Sequence, residues 1–414
     1  MGGEWQTVTV GEVATRVTKG TTPTTVGGQF VEGGINFVKV ESITDDGRIE
    51  NQKLAHIDDS TNTLLSRSIL CHNDILFTIA GTIGRVALVP ENILPANTNQ
   101  AVAIVRPNIE IVLPRFLYYV FGDESRVRQA HTRIVQSVQA NFSLGELSSL
   151  EIPLPSLPEQ RAIVHILGTL DDKIELNRRM NETQEAIARA LFKSWFVDFD
   201  PVRAKAEGRD PCLPQHIADL FPDSFEASEL GEIPKGWSAT RWGTLATLEY
   251  GKSLSGYAGV TGTYPVFGTN GRIGNHSVPL CKHPGIIIGR KGAYRGVHFC
   301  DTPFFVIDTA FYVEPSRPVE LRWAYYELLR HDINSMDSGS AIPSTSRDDF
   351  YSLPVLSPPF EVQHAFASFL SPFWARQKQS DEISRSLAVL RDTLLPKLIS
   401  GELRVPSNLE SLCQ

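Results

Sequence analysis

Residues 152–164 read IPLPSLPEQRAIV, and residues 353–366 read LPVLSPPFEVQHAF, so a similar stretch occurs in each half of the chain, about 200 residues apart. Each stretch passes from an apolar run through serine and proline into a sequence typical of a helix. Proline suits the first helical turn because its missing amide hydrogen would have no intrahelical partner there. Both halves are therefore predicted to end in a long helix that begins at these prolines.

Three further pairs of stretches repeat in the same order, which makes the repeat the main organising feature of the chain. They are EWQTVTVGEVATRVTKG at 4–20 with GWSATRWGTLATLEYGK at 236–252, DILFTIAGTIGRV at 74–86 with GIIIGRKGAYRGV at 285–297, and PRFLYYVF at 114–121 with LRWAYYELL at 321–329. Apolar runs broken by glycine favour strands, and the aromatic-rich segments favour helices. The sequence thus predicts two copies of one α/β unit.

Both long helices carry seam residues spaced three or four apart, the heptad pattern of a coiled coil with a polar middle. The first seam is Ile163, Leu167, Leu170, Ile174, Asn177 and Asn181, continuing to Gln184, Ala188, Leu191 and Trp195. The second is Phe366, Leu370, Phe373, Gln377, Ser380, Leu387 and Leu394. We expect the helices to pair antiparallel, with the polar groups fixing the register. The alternative is two unrelated helices, each packed on its own domain.

Length and composition are those of a globular protein with more than one core. At about 100 to 200 residues per domain, 414 residues predict two or three domains. Thirty-one glycines and 26 prolines indicate many turns and hence β structure. Five scattered cysteines do not resemble a disulfide framework and are expected to be reduced. With no signal peptide and no apolar stretch of about 20 residues, we expect a cytoplasmic protein without a membrane partner.

The charge distribution matters more than the net charge of −8. Residues 250–300 contain no Asp or Glu and six Lys or Arg, and residues 125–145 are acid-free with three arginines. Acids concentrate at 157–230, where 14 face 9 basic residues. Phosphate binding requires Lys and Arg on the contact face, so a basic face beside an acidic region predicts a nucleic-acid contact. The alternative is a chance fluctuation in a Gly-rich β domain.

Residues 289–296, GRKGAYRG, are the best candidate DNA-contacting loop. Glycines allow the backbone to approach phosphate closely, while Arg and Lys neutralise phosphates or pair with guanine. Residues 81–85 are its thinner counterpart, and polar residues at 136–143 and 338–347 carry groups that read base edges. The predicted DNA-binding residues are Lys252, Arg272, Arg290, Lys291, Tyr294, Arg295 and Arg347 in the second half, and Lys19, Arg85, Arg126, Arg128, Arg133, Gln139 and Asn141 in the first.

Four motifs that suggest catalysis or metal binding are less convincing. Residues 357–360, SPPF, match the base-gripping loop of amino-methyltransferases, but the repeat identifies them as a helix start and no Gly-rich S-adenosylmethionine loop precedes them. The sequence Gly251-Lys252-Ser253 lacks the earlier glycine of a phosphate-binding loop. The pairs Cys281/His283 and His298/Cys300 have the wrong spacing for zinc. Asp171 and Asp172 beside Lys173 favour a solvated helix face over a nuclease centre.

The chain resembles the specificity subunit of type I restriction-modification systems over nearly its whole length. The most specific stretches are PSLPEQR at 155–161, LFKSWFVDFDPVRAK at 191–205, LGEIPKGW at 230–237 and LLPKLISGELRV at 394–405. The second helix departs from the family pattern, because PFEVQ at 359–363 replaces the usual P-x-x-E-Q start. That departure concerns the cap of the helix and leaves the assignment intact.

The resemblance implies an α/β fold with two tandem target recognition domains, separated by two long antiparallel coiled-coil helices with a pseudo-twofold internal repeat. The expected domains are 1–155 and 231–357 for recognition, 156–200 and 358–403 for the spacer helices, 201–230 for a linker and 404–414 for a tail. Each recognition domain is expected to read half of a bipartite, asymmetric site in double-stranded DNA.

The resemblance also implies partners. Two modification subunits are expected to carry out S-adenosylmethionine-dependent adenine methylation, and motor-nuclease subunits to add ATP-driven restriction. We expect the chain itself to be non-catalytic and without a cofactor, with S-adenosylmethionine, ATP and Mg in its partners. The competing class is a single-chain methyltransferase or nuclease with its own DNA-reading half, which the missing cofactor loop disfavours. A purely structural scaffold would leave the acid-free basic stretches unexplained.

Overall fold

The chain divides into two compact units in the computed structural model, which describes residues 5–123, 142–255, 262–336 and 342–405. Unit 1 comprises residues 1–178 and 381–414, and unit 2 comprises residues 179–380. The division therefore falls inside the two long helices, each of which begins in one unit and ends in the other.

Unit 1 contains the first set of strands and short helices. The strands are β1 (Gln6–Thr9), β2 (Ala14–Lys19), β3 (Phe30–Val31), β4 (Ile35–Val38), β5 (Ala55–Ile57), β6 (Ile75–Thr78), β7 (Val86–Leu88), β8 (Ala96–Thr98), β9 (Val102–Pro107) and β10 (Glu151–Leu154). The short helices are α1 (Val10–Val13), α2 (Asp59–Leu64), α3 (Pro114–Gly122) and α4 (Leu144–Ser148). The long helix α5 (Leu157–Phe196) begins here.

Unit 2 contains the second set. The strands are β11 (Phe225–Ser228), β12 (Gly231–Pro234), β13 (Ser238–Arg241), β14 (Ala246–Tyr250), β15 (Tyr264–Gly268), β16 (Gly271–His276), β17 (Gly285–Gly289), β18 (Val297–Cys300), β19 (Phe305–Val306), β20 (Ala310–Pro315) and β21 (Pro354–Ser357). The helices are α6 (Asp200–Ala206), α7 (Gln215–Ala218), α8 (Trp242–Leu245), α9 (Leu321–Leu328), α10 (Arg347–Ser352) and the start of the long helix α11 (Phe360–Ser400).

The two units share their sheet topology. The main sheet has the antiparallel order β2-β9-β6-β7 in unit 1 and β14-β20-β17-β18 in unit 2. A second sheet in each unit mixes antiparallel and parallel pairing: unit 1 has the order β3-β5-β4-β8 with two antiparallel pairs and one parallel pair, and unit 2 has the order β16-β15-β19 with one of each. The first and last strands of each repeat also pair, β1 with β10 and β13 with β21. The repeat predicted from sequence is thus present in the backbone.

The central strands β6 and β17 are buried along their whole length. In β17, Ile286 and Ile288 point into one hydrophobic core while Ile287 points into another. Side chains alternate across a strand, so an unbroken apolar run fits a strand that is covered on both faces. This is why GIIIG shows no polar alternation although it forms a strand.

The long helices pair antiparallel within each unit. In unit 1, Asp171 contacts Arg391 at 2.9 Å and Asn177 donates to Ser384 Oγ at 3.0 Å, so the position on α11 falls as that on α5 rises. In unit 2, Gln377 Nε2 donates to the carbonyl oxygen of Asn181 at 3.1 Å. The predicted seam residues, apolar and polar alike, are buried or half-buried. The predicted fold class is confirmed.

A buried glutamine marks the start of each long helix. Gln160 Oε1 accepts from the backbone of Leu113 at 2.8 Å, and its amide donates to Pro155 at 3.0 Å. In unit 2, Gln363 makes the same pair of bonds, accepting from Glu320 at 3.0 Å and donating to Pro358 at 2.8 Å. The bonds tie the helix start to the segment before α3 or α9. The glutamine is therefore the shared part of the helix-start motif.

The predicted departure of the second helix start has a packing explanation. In unit 1, Ser156 and Glu159 form a reciprocal cap, with Ser156 N donating to Glu159 at 3.1 Å and Glu159 N to Ser156 Oγ at 3.4 Å. Pro359 and Val362 occupy these positions in unit 2, where Val362 is buried in the hydrophobic core. An acidic side chain would lose its hydration there.

Among the described residues, no helix is long and apolar enough to cross a membrane.

Candidate nucleic-acid interface

Three segments of unit 2 meet at one edge of the main sheet: residues 250–252, 289–296 and 343–347, here called the loop edge. Lys252 N donates to Val306 at 2.9 Å, which fixes the first segment. Gly292 N donates to Pro343 at 2.9 Å, joining the second to the third. The fold thus brings together predicted DNA-binding residues that lie about 100 positions apart in sequence.

Gly251 is required by a close backbone approach. A Cβ atom on this residue would lie 2.0 Å from the carbonyl oxygen of Ile307, and one on Gly20 in unit 1 would lie 1.9 Å from that of Thr98. Real Cβ atoms essentially never come so near a backbone atom. Gly251 in unit 2 and Gly20 in unit 1 therefore each mark the crossing point of two backbone segments, and the resemblance of Gly251-Lys252-Ser253 to a phosphate-binding loop is superficial.

The ring of Tyr250 is in cation–π contact with two arginines at the loop edge. The guanidinium carbon of Arg290 is 4.7 Å from the ring centroid of Tyr250, and that of Arg347 is 5.2 Å from it. Arg347 also donates to Tyr351 Oη at 2.9 Å, and hydrogen bonds to Tyr351 and Tyr250 raise its pKa. Cation–π contact holds a flexible arginine in a narrow range of geometries. The arrangement presents two ordered guanidinium groups beside a half-exposed ring.

Arg295 corrects the sequence prediction. Its side chain is 4% exposed, so in this conformation it cannot contact DNA as predicted. The guanidinium donates to the carbonyl oxygen of Asn334 at 2.7 Å, and the Arg295 backbone donates to the Asn334 side chain at 2.7 Å. The same loop exposes Tyr294, at 79%, and half-exposes Lys291. The loop therefore has an exposed outer part and a buried anchor.

Two other predicted residues of unit 2 are exposed. Lys252 lies on the loop edge itself. Arg272 donates to Asn275 at 2.6 Å and lies beside the turn whose Thr269 carbonyl accepts from Gly296 at 3.1 Å. Both residues stay predicted DNA contacts.

Unit 1 builds the same edge from different side chains. Ile79 N donates to Ala101 at 2.8 Å, as Arg290 N donates to Thr309 at 2.9 Å, so Ile79 corresponds to Arg290. By the same reasoning Leu144 corresponds to Arg347 and Lys19 to Tyr250, because the neighbouring backbone bonds match.

Arg85, the other described candidate in unit 1, is engaged within the chain. It pairs with Asp45 at 2.6 Å and donates to Ile43 at 2.8 Å, so the geometry assigns it to the loop's own structure. The remaining predicted residues of the first half lie outside the described residues: Arg126, Arg128, Arg133, Gln139 and Asn141.

Tyr250, Tyr351 and Asn334 were not predicted from the sequence. Tyr250 and Tyr351 each had a local signal in the sequence. Tyr250 ends a strand immediately before the glycine at the backbone crossing, and Tyr351 lies four residues after Arg347 on a helix. Asn334 had no such signal, because it meets Arg295 only in the folded chain. Within the described part of the chain, no three His, Cys, Asp or Glu side chains form a group that could hold a metal.

Residues 2–186 match the family model described as the type I restriction modification DNA specificity domain. The chain is similar to type I restriction enzyme specificity subunits. It is 25% identical to the type I restriction enzyme MjaIX specificity subunit of Methanocaldococcus jannaschii, over 96% of this chain and 92% of that protein.

Two further comparisons agree. The HindI specificity subunit of Haemophilus influenzae is 35% identical over 42% of this chain and 39% of its own length. The crystal structure of the type I S subunit from M. genitalium has a TM-score of 0.55 and 18% identity, covering 95% of this chain and 96% of that one. That likeness concerns the fold.

Proposed function

We propose that the chain reads an asymmetric, bipartite site in double-stranded DNA, with one half-site bound by each unit. The observation that carries this proposal is that both units have the same sheet order but carry different side chains at the matched edge. A shared scaffold supports a shared mode of docking, and different side chains support different target bases. Arginine paired with guanine is the commonest specific contact in the major groove. The second unit carries two ordered arginines for it, Arg290 and Arg347.

The proposed DNA contacts follow exposure in the structure. They are Lys252, Arg272, Arg290, Lys291, Tyr294 and Arg347 in unit 2 and Lys19 in unit 1. We do not propose Arg295 as a direct DNA contact, because it is buried. Arg85 is a weaker candidate for a DNA contact, because its charge is already paired with Asp45. Lys19 carries a positive charge at the matched edge of unit 1, where no arginine stack exists among the described residues.

The chain recruits its catalytic partners in this proposal. Two modification subunits supply S-adenosylmethionine-dependent adenine methylation, and motor-nuclease subunits supply ATP- and Mg-dependent restriction, so this chain needs no cofactor. Exposed apolar side chains on the long helices support a docking role: Leu176 and Ile187 on α5, and Val389 and Leu390 on α11, are 44–67% exposed. Large contiguous patches of exposed apolar surface mark interaction sites, and we propose that these side chains belong to such patches.

Methylome sequencing of cells that carry the complete operon tests the proposal. We expect one methylated motif of two specific parts separated by a fixed gap of unread bases. Seven residues inserted into both long helices, near Gln184 and Gln377, should lengthen that gap by about three base pairs, since a helix rises about 1.5 Å per residue and base pairs stack about 3.4 Å apart. The bases read in each half should stay the same.

Two outcomes would contradict this function. A motif without a gap would exclude bipartite reading, and an assembled insertion variant with the original gap would exclude a spacer role for the helices. The isolated chain should transfer no methyl group from S-adenosylmethionine to DNA. Transfer by the chain free of partners would favour the single-chain methyltransferase.

A further inference from the structure

The 289–296 loop combines a buried arginine with its neighbour Tyr294, the most exposed aromatic side chain among the described residues of unit 2. Tyr294 is 79% exposed and Arg295 is 4% exposed. An aromatic ring left in water is unfavourable unless it meets a partner, because burying apolar surface stabilises by roughly 25 cal/mol per Å². The neighbouring residue points the opposite way, so the backbone between the two determines where the ring stands.

Hydrogen bonds between Arg295 and the segment that contains Ile333 and Asn334 anchor the 289–296 loop. Arg295 Nη2 donates to the carbonyl oxygens of Ile333 and Asn334, at 3.4 and 2.7 Å. The Asn334 side chain accepts from Arg295 N at 2.7 Å and donates back to its carbonyl at 3.5 Å. Side chain and backbone of one residue are therefore both held by a single short segment.

The two ends of the loop are also held. Gly289 N donates to Gly296 at 2.8 Å, which closes the loop at its base. Gly289 has no room for a side chain, since a Cβ there would lie 2.4 Å from the carbonyl oxygen of Thr269. A closed base and an anchored Arg295 leave Tyr294 little freedom of position, and binding then costs less ordering entropy.

We propose that Tyr294 is the base-contacting tip of this preorganised loop, and that Arg295 is a positioning residue that acts on DNA only through Tyr294. The inference rests on the proposed DNA-reading function and names the residue that reads. A tyrosine ring stacks on a base, and its hydroxyl donates or accepts at a base edge. Lys291, by contrast, carries the charge that a phosphate requires.

The matched loop of unit 1, residues 78–85, carries different side chains. The residues that match Tyr294 and Arg295 are Ile83 and Gly84, because the same backbone bond closes both loops, Thr78 N to the Arg85 carbonyl oxygen at 2.9 Å and Gly289 N to the Gly296 carbonyl oxygen at 2.8 Å. Ile83 is half-buried and packs against the hydrophobic core of its unit. The effect of Tyr294 is therefore confined to one half-site.

The test measures binding of the assembled methyltransferase complex to its methylome-defined duplex and to a scrambled duplex, from 50 to 200 mM salt. Tyr294→Ala should weaken binding to the specific duplex about five- to 150-fold, the range of one base–aromatic stack, and leave the salt slope unchanged. Lys291→Ala should lower the slope by about one. Val278→Ala, which removes another exposed apolar side chain of unit 2, is the matched control and should behave like the wild type.

Arg295→Met separates positioning from phosphate contact. It removes a charge, yet it should leave the salt slope unchanged and reproduce the loss seen with Tyr294→Ala. The double variant should be no worse than Tyr294→Ala alone, and Arg295→Lys should recover part of the binding. The methylome of Tyr294→Ala should show relaxed bases in one half-site only.

Three results would overturn the proposal. They are wild-type binding and motif in Tyr294→Ala, a slope reduced by one in Arg295→Met, or additive losses in the double variant. Tyr294 is exposed, so its variants report on the proposal even if Arg295→Met fails to fold. A wild-type complex that shows no preference for the specific duplex would instead contradict the proposed function itself.

Discussion

The two units carry the same sheet order but different side chains where their loops gather. Unit 1 places Lys19, Ile79 and Leu144 at the positions where unit 2 has Tyr250, Arg290 and Arg347. The backbone bonds around these positions match to within a few tenths of an ångström. The comparison teaches that hydrogen-bonded backbone fixes where a side chain stands, while its chemistry is free to change. Such a scaffold allows each unit to acquire its own target.

The first prediction concerns the glycine at the backbone crossing of each unit, where we expect substitution to cause the greatest loss of stability. Gly20→Ala and Gly251→Ala should each destabilise the chain by about 3 kcal/mol, because the added methyl group meets a backbone carbonyl that cannot move without shifting a strand. Urea denaturation of the purified chain measures this. Gly33→Ala, with nothing within 4 Å of the new Cβ, should change the free energy of unfolding by less than about 0.5 kcal/mol. If only one of Gly20→Ala and Gly251→Ala destabilises the chain, the two backbone crossings are not structurally equivalent.

The second prediction concerns the different chemistry of the two edges. Arg290→Lys and Arg347→Lys keep their charge but lose the planar group that stacks on Tyr250 and pairs with guanine. Each should cost about 1 kcal/mol or more of discrimination between bases in one half-site, with little change in salt slope. Lys19→Ala should instead weaken binding to all sequences and reduce the slope by about one. Fluorescence anisotropy with matched and mismatched duplexes measures these affinities. The same change in affinity and salt slope in all three variants would contradict the proposed difference between the two units.

The smallest effect concerns the two helix starts. Ser156→Ala removes a helix cap and should destabilise by about 1 kcal/mol, whereas Pro359→Ser should change stability by less than about 0.5 kcal/mol because the residue three positions on is Val362 and not an acid that could complete a reciprocal cap. Thermal unfolding of both variants measures the contrast. Equal losses would mean that the two starts are capped alike.

The cap of α5 also has a pH dependence. Burial raises the pKa of Glu159, but hydrogen bonds from Trp5 and Ser156 outweigh it and leave the pKa below its ordinary value. The stability that this carboxylate contributes is present near neutral pH and is lost as the pH falls through the lowered pKa. The cost of Ser156→Ala should therefore shrink in acid. A cost that is constant from pH 7 to low pH would exclude the carboxylate as the source.

Features with a local or periodic signal in the sequence were predicted correctly. The heptad spacing from Ile163 to Ile174 predicted which face of α5 is buried, since side-chain direction follows directly from helical geometry. The glycine-flanked turn at 289–296 was also recognisable. The prediction was wrong at Arg295, which looked like a phosphate contact because arginine is usually exposed. Its burial depends on carbonyl groups near Asn334, about 40 residues away, and no local pattern records such a partner.

The repeat, the long helices and the resemblance to a family can be recognised from the amino-acid sequence, because they depend on periodicity and on short contiguous motifs. Which cations face outward depends on the folded structure. Arg290 and Arg347 are ordered by Tyr250, Arg85 is neutralised by Asp45, and Arg295 is anchored inside. Charge and residue type are properties of one position, whereas exposure depends on all the segments that the fold packs around it.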